Sequence, residues 1–208
     1  MSCLRRIPRC VSEQIRAIIF DLDGTLVSSS LNFDRMRKDV GCPPDEDILA
    51  YIDALQGKDK EAANAIVYQH EMADARSVEL LPGVESLFEQ LSIGALKTAI
   101  VTRNSREATR RKLEQVGLQV DTILTRECAP AKPHPGALQQ LCREWQLKPS
   151  EAVYVGDYLY DLLAAEHANM HSCLYAQDHL PDYAERAGFV CNDYASFFDL
   201  LASYIEKK

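Results

Sequence analysis

The chain has 208 residues, 47% of them hydrophobic, with 31 acidic against 23 basic side chains and a net charge of −8. That length suits one substantial domain, or one domain carrying a small insert. The acidic balance argues against a general nucleic-acid or membrane-surface binder, so an anionic ligand has to be held by local cations, backbone amides or a metal ion.

No apolar run approaches the length needed to span a bilayer. The seven cysteines are scattered, odd in number and without a C-x-x-C pair. They read as free thiols in a reducing compartment, with Cys142 and Cys173 as small core residues, and the cytoplasm is the expected location. Residues 1–15 carry Arg5, Arg6 and Arg9 but no continuous hydrophobic stretch, so a frayed extension is expected there rather than a secretory signal.

The apolar run at residues 17–20 predicts a buried strand, and it ends in Asp21-Leu22-Asp23-Gly24-Thr25. Alternate side chains of an extended segment point the same way, so Asp21 and Asp23 can face one site. After a polar hinge at Ser28-Ser29-Ser30, residues 31–78 read as helices, the first capped by Asn32 or Asp34 and broken at Gly41-Cys42-Pro43-Pro44. Leu81-Pro82-Gly83 returns the chain to the main body.

From Val84 onward helices and strands alternate. The pattern predicts a helix over 84–91, a strand over 98–102, and a helix from an N-cap at Ser105 to Val116, stopped by Gly117. Further strands are expected at 122–125, 152–155, 172–176 and 189–191, and further helices at 137–145, 159–167 and 196–205. Such alternation predicts an α/β, Rossmann-like parallel sheet with helices on both faces, in which functional groups gather at the carboxyl ends of the strands.

Those ends carry one chemistry. The first strand exits at Asp21 and Asp23, the second at Thr102-Arg103-Asn104, and a later one at Gly156-Asp157 with Asp161 following, while a loop supplies Lys132. Four carboxylates, one lysine and one hydroxyl at one rim are unbalanced without a divalent cation, and hard oxygen ligands of this kind select Mg²⁺. Asp161 alone reads equally well as a helix-cap residue, and His134 as a loop residue.

With these segments in order, the chain resembles the haloacid dehalogenase-like hydrolases, and among them phosphatases of the phosphoglycolate-phosphatase kind with a helical cap. The resemblance rests on Asp21-Leu22-Asp23-Gly24-Thr25, Thr102, Lys132, and Gly156-Asp157 with Asp161. It implies a core of residues 1–27 and 81–208 and a small all-α cap at 28–80. Asp21 would then be the nucleophile that forms an aspartyl-phosphate, and Asp23 the acid and base. Thr102 and Lys132 would hold the phosphoryl group, with Gly24, Thr25, Arg103 and Asn104 nearby as substrate contacts. Mg²⁺ would be held by Asp21, the Asp23 carbonyl and Asp157, with Asp161 orienting a water or the lysine.

The expected activity is Mg²⁺-dependent hydrolysis of a small phosphorylated metabolite. A phosphomutase of the β-phosphoglucomutase type and a catalytically silent binding module are the alternatives. Dehalogenase chemistry would call for a non-acidic residue in place of Asp23. Two departures from the family pattern stand out: Tyr158 follows the metal aspartate, where a small polar residue is common, and the cap is short. Arg35, His70 and Arg76 are the polar cap residues available to a substrate. The leaving group and the oligomeric state are not readable from the residues.

Overall fold

Six parallel strands make one sheet in the order β3-β2-β1-β4-β5-β6 in the computed structural model, which describes residues 7–208. The strands are β1 (Ala17–Phe20), β2 (Lys97–Val101), β3 (Ile123–Leu124), β4 (Ala152–Gly156), β5 (His171–Tyr175) and β6 (Phe189–Cys191). All four β1 residues are buried, as a central parallel strand covered on both faces must be. Ile18 and Phe20 pack in one core cluster with Val84, Leu87 and Phe197, while Ala17 and Ile19 pack in a second with Leu138, Leu141 and Ala165. The alternation follows from the two-residue period of a strand.

The helices are α1 (Arg9–Gln14), α2 (Phe33–Val40), α3 (Ile48–Ala54), α4 (Gly57–Asp74), α5 (Val84–Ile93), α6 (Arg106–Val116), α7 (Gly136–Trp145), α8 (Leu159–Ala168) and α9 (Phe197–Ile205). Local signals start and stop several of them. The Asn32 side chain accepts from the Arg35 N–H, and Ser105 accepts from the Ala108 N–H. Gly41 and Gly117 close α2 and α6 in the left-handed conformation, which glycine adopts without a Cβ penalty.

One expectation fails. Residues 9–14 are a helix, not a frayed extension, because Val11 and Ile15 are fully buried against the core. Burial of that kind is worth roughly 1.5–3 kcal/mol per side chain, enough to hold a helix too short to form alone. Arg5 and Arg6 lie outside the described residues.

Between β1 and α5, helices α2 to α4 enclose a cluster of their own, built on Met36, Cys42, Ile48, Ile52, Ala63 and Val67. The two connections to the sheet run side by side. Val27 bridges Leu80, the Ser28 N–H donates to the Glu79 carbonyl, and the Glu79 N–H donates to the Ser28 hydroxyl. Among the described residues no helix is long and apolar enough to cross a membrane.

Register decides where the strands end. Phe20 lies opposite Ile100 on one side and Val155 on the other, so β1, β2 and β4 run out at one level. The Asp21 N–H still donates to the Val155 carbonyl at 2.8 Å. With β2 and β4 flanking β1, that edge is the point where the strand order reverses, the usual place for a ligand crevice.

Candidate active site

The loop after β1 turns at Gly24, whose φ of +71° is left-handed, and a Cβ there would lie 2.4 Å from an Asp157 carboxylate oxygen. Glycine is needed both for the turn and for the approach of Asp157. Next to it the Thr25 hydroxyl donates to Asp157 Oδ1 at 3.1 Å. On the other side of the site, Gly156 leaves room for Asp161, whose carboxylate would collide with any Cβ at that position.

Asp21, Asp157 and Asp161 offer carboxylate oxygens that all lie within 4.8 Å of one another. Lys132 is the balancing cation. Its Nζ lies 2.7 Å from Asp21 Oδ1 and 2.6 Å from Asp161 Oδ1, and it donates to the Tyr154 hydroxyl at 2.8 Å. Tyr154, fully enclosed, in turn donates to the Val101 carbonyl at 3.0 Å. Asp161 does two things at once: Oδ1 takes the lysine, and Oδ2 accepts the Tyr158 N–H at 3.0 Å, capping α8.

One lysine does not neutralise three acids. Burial pushes the Asp21 carboxyl up to about 8, with Asp161 and Asp157 adding repulsion and Lys132 opposing it. Burial and the Asp161 charge push Asp157 up to about 7. Lys132, disfavoured as a cation by burial, is nonetheless raised by Asp161 and Asp21. A donor set of hard, mutually repelling carboxylate oxygens, with two members held above their ordinary range, fits an oxygen-seeking divalent cation.

Asp23 sits apart from that group. Its Oδ1 lies 2.5 Å from Lys112 Nζ, and its Oδ2 accepts from Asn104 Nδ2 at 2.6 Å. Asn104 also donates to the Thr102 hydroxyl, from its side chain at 3.0 Å and from its backbone at 3.2 Å. Thr102 and Asn104 are both buried. Thus the exit of β2 is tied to the first loop through Asp23, while Asp21 faces the acidic group.

Arg103 is already engaged. It pairs with Asp47 at 2.6 Å, lies 4.9 Å over the Tyr160 ring, and donates to the Lys132 carbonyl. Tyr158 is 53% exposed and meets Tyr160 and Tyr183 edge to face, so a large side chain is accommodated after Asp157 by pointing outward. Of the polar residues on α2 and α4, Arg35 and His70 both face Asp39, at 3.7 and 2.9 Å.

The residues that sequence reasoning missed lie on α4 and α6. The buried face of α4 reads Ala63, Val67, Glu71, Asp74, changing from apolar to acidic at helical spacing. Glu71 pairs with Arg126 and accepts the Ser105 N–H at 3.2 Å. Asp74 pairs with Lys112 at 2.7 Å. Burial works against the Asp74 anion, yet bonds from Lys112 and Ser30 hold its carboxyl below the ordinary range. The signal was present in both helices: Lys112 falls in register with Ala108 and Thr109 on the inner face of α6, a place a lysine occupies only with partners.

The family model for haloacid dehalogenase-like hydrolases matches residues 29–175. A haloacid dehalogenase-like hydrolase domain-containing protein of Arabidopsis thaliana is 28% identical over an alignment of 173 positions that covers 77% of this chain and 71% of that protein. A phosphoglycolate phosphatase of Vibrio vulnificus is 26% identical over an alignment of 221 positions that covers 91% of this chain and 97% of that protein. Among solved structures, a hydrolase from Pseudomonas syringae superposes with a TM-score of 0.75 at 21% identity, covering 90% of this chain and 98% of the other. That last likeness is one of fold.

Proposed function

The chain belongs to the haloacid dehalogenase-like hydrolase family, and on that premise we propose that this hydrolase is a Mg²⁺-dependent phosphatase of a small phosphorylated metabolite. The substrate is of the phosphoglycolate or sugar-phosphate kind, and the route runs through an aspartyl-phosphate. The observation that carries the reading is the grouping of Asp21, Asp157 and Asp161 around Lys132, with Asp23 held separately by Lys112 and Asn104. Two carboxylates two residues apart thereby occupy different surroundings, as a nucleophile and an acid/base must.

In this reading an Asp21 oxygen attacks phosphorus and the bond to the leaving oxygen breaks, while Asp23 gives that oxygen its proton. A water then attacks the same phosphorus and Asp23 takes its proton. The Asp21 carboxylate is regenerated, and alcohol and inorganic phosphate leave. Lys132 and the Thr102 hydroxyl stabilise charge on the phosphoryl oxygens. Asp21 and Asp157, backed by Asp161, would hold Mg²⁺, which when bound supplies charge neutralisation and orients the phosphoryl group. Residues 28–80 serve as a cap beside this edge, and Arg103 and Asp47 join cap to core. Its free thiols suit the reducing cytoplasm.

The direct test is phosphate release, in millimolar Mg²⁺, from p-nitrophenyl phosphate and a panel of alkyl and sugar phosphate monoesters. Turnover of at least one ester is expected. Silence across the panel would return the chain to the binding-module alternative.

Cation binding has a readout independent of turnover. The folded-state values of Asp21 and Asp157, about 8 and about 7, lie above the ordinary 3.8. The metal-free folded protein therefore holds more protons than the unfolded chain between those limits, and its stability falls as pH rises. His171, whose pKa is lowered mainly by burial, contributes the opposite sign near neutrality, but it is one group against two carboxyls. Without divalent cation, Tm is expected to fall from pH 5 to pH 8. Adding Mg²⁺ at about 100 times its Kd should restore about 2.7 kcal/mol at pH 8, and less at pH 5, where protons compete. A Tm at pH 8 that ignores Mg²⁺ would count against the cation site.

A further inference from the structure

Lys112 is fully buried, and its Nζ stands between two carboxylates, Asp23 Oδ1 at 2.5 Å and Asp74 Oδ2 at 2.7 Å. A buried lysine costs stability unless it is paired, and here both partners come from other elements: Asp23 from the loop after β1, Asp74 from the last position of α4. An acid at the carboxyl end of a helix opposes the helix dipole, so Asp74 owes its place to its partners rather than to α4. Those partners lie on both sides of the crossing between α2–α4 and the sheet. Asp74 Oδ1 accepts from the Ser30 N–H at 2.6 Å and from the Ser30 hydroxyl at 2.8 Å, and Oδ2 accepts from the Ser29 hydroxyl at 3.4 Å.

We propose that Lys112 is a positioning residue: anchored by Asp74 at the Ser29–Ser30 crossing, it holds the Asp23 carboxylate where it can exchange a proton with the leaving-group oxygen. Asn104 fixes the other Asp23 oxygen at 2.6 Å, so together Lys112 and Asn104 determine the plane of the carboxylate. The sequence motif places Asp23 in the loop; Lys112 decides where its oxygens stand. The helical segment thereby reaches the acid/base through one buried cation.

The proposal rests on the phosphatase reading, and its test separates the two. A general acid matters for a leaving alkoxide, which needs a proton, and little for p-nitrophenolate, which leaves without one. Lys112→Met should lower kcat/KM, which covers the steps through departure of the leaving group, by about 10²-fold on the best alkyl monoester of the panel and by less than about 5-fold on p-nitrophenyl phosphate, within the range general acids contribute. The value of kcat, which also includes hydrolysis of the intermediate with Asp23 as base, should fall on both. Should Lys112→Met fold poorly, because it strands the buried Asp74 and the part-buried Asp23, Lys112→Met with Asp74→Asn removes one of these anions and should show the same split. Asp74→Asn alone, which leaves the lysine one anchor, should show it at smaller amplitude. Equal losses of kcat/KM on the two esters, or none, would overturn the positioning role while leaving the phosphatase reading intact. A wild-type protein that turns over neither ester would overturn both.

Discussion

Asp21→Asn is expected to abolish phosphate release, a fall of about 10⁴-fold or more, with the fold unchanged. The asparagine keeps an oxygen that can accept from Lys132, which stands 2.7 Å from Asp21 Oδ1, so the local packing survives. What is lost is the anionic oxygen that attacks phosphorus. An amide oxygen is a far weaker nucleophile, and no neighbour can take its place: Asp161 is committed to Lys132 and the α8 cap, and Asp157 to Thr25. Stability should hold or rise, because an uncharged amide escapes the cost of burial and, secondarily, the repulsion from Asp161 and Asp157 that together lift Asp21 to about 8. A steady-state assay beside a thermal melt checks both halves, and turnover near the wild-type rate would remove Asp21 from the nucleophile's role.

Lys132→Met should have the second largest effect and, unlike Asp21→Asn, should weaken the fold as well. The lysine contacts Asp21, Asp161 and the Tyr154 hydroxyl, of which Asp161 and Tyr154 are buried and Asp21 is partly so. Without it three acids face one another and the two ion pairs are broken from one side, a change that typically costs about 3–5 kcal/mol. Turnover should drop by about 10³-fold, in the range seen when a group that stabilises developing charge is removed. Urea unfolding gives the first number, and kcat under conditions where the variant is folded gives the second. The loss of stability should be smaller at pH 5 than at pH 8, since Asp21 and Asp157 can then take up protons. A variant as stable as the wild type at pH 8 would mean that the acidic group does not depend on Lys132 for its balance.

The positions that could be read from the residues are those governed by local rules. The Asp21–Thr25 loop follows a four-residue apolar run, Ser105 and Gly117 bound α6 as their chemistry demands, and the alternation after Val84 dictates a parallel sheet. Helix α1 was not legible, because a six-residue segment with one fully buried side chain has no helical signal of its own; it is held by Ile15 and the packing beneath it. The double duty of Asp161 was half legible. Its spacing suits a cap, and only the approach of the Lys132 loop adds the ion pair.

The chain order of amino acids alone determined the type of sheet and the edge at which its acids emerge, since strand period and turn chemistry act over a few residues. Which acid faces which partner was a matter of three-dimensional assembly. Asp21 meets Lys132, 111 positions further along the chain, and Asp23 meets Lys112 on a helix that no local pattern connects to it. Pairings of that kind depend on strand register and on how α4 and α6 pack, and charges far apart along the chain acquire their roles only when burial removes water and leaves each with a few fixed neighbours to answer it.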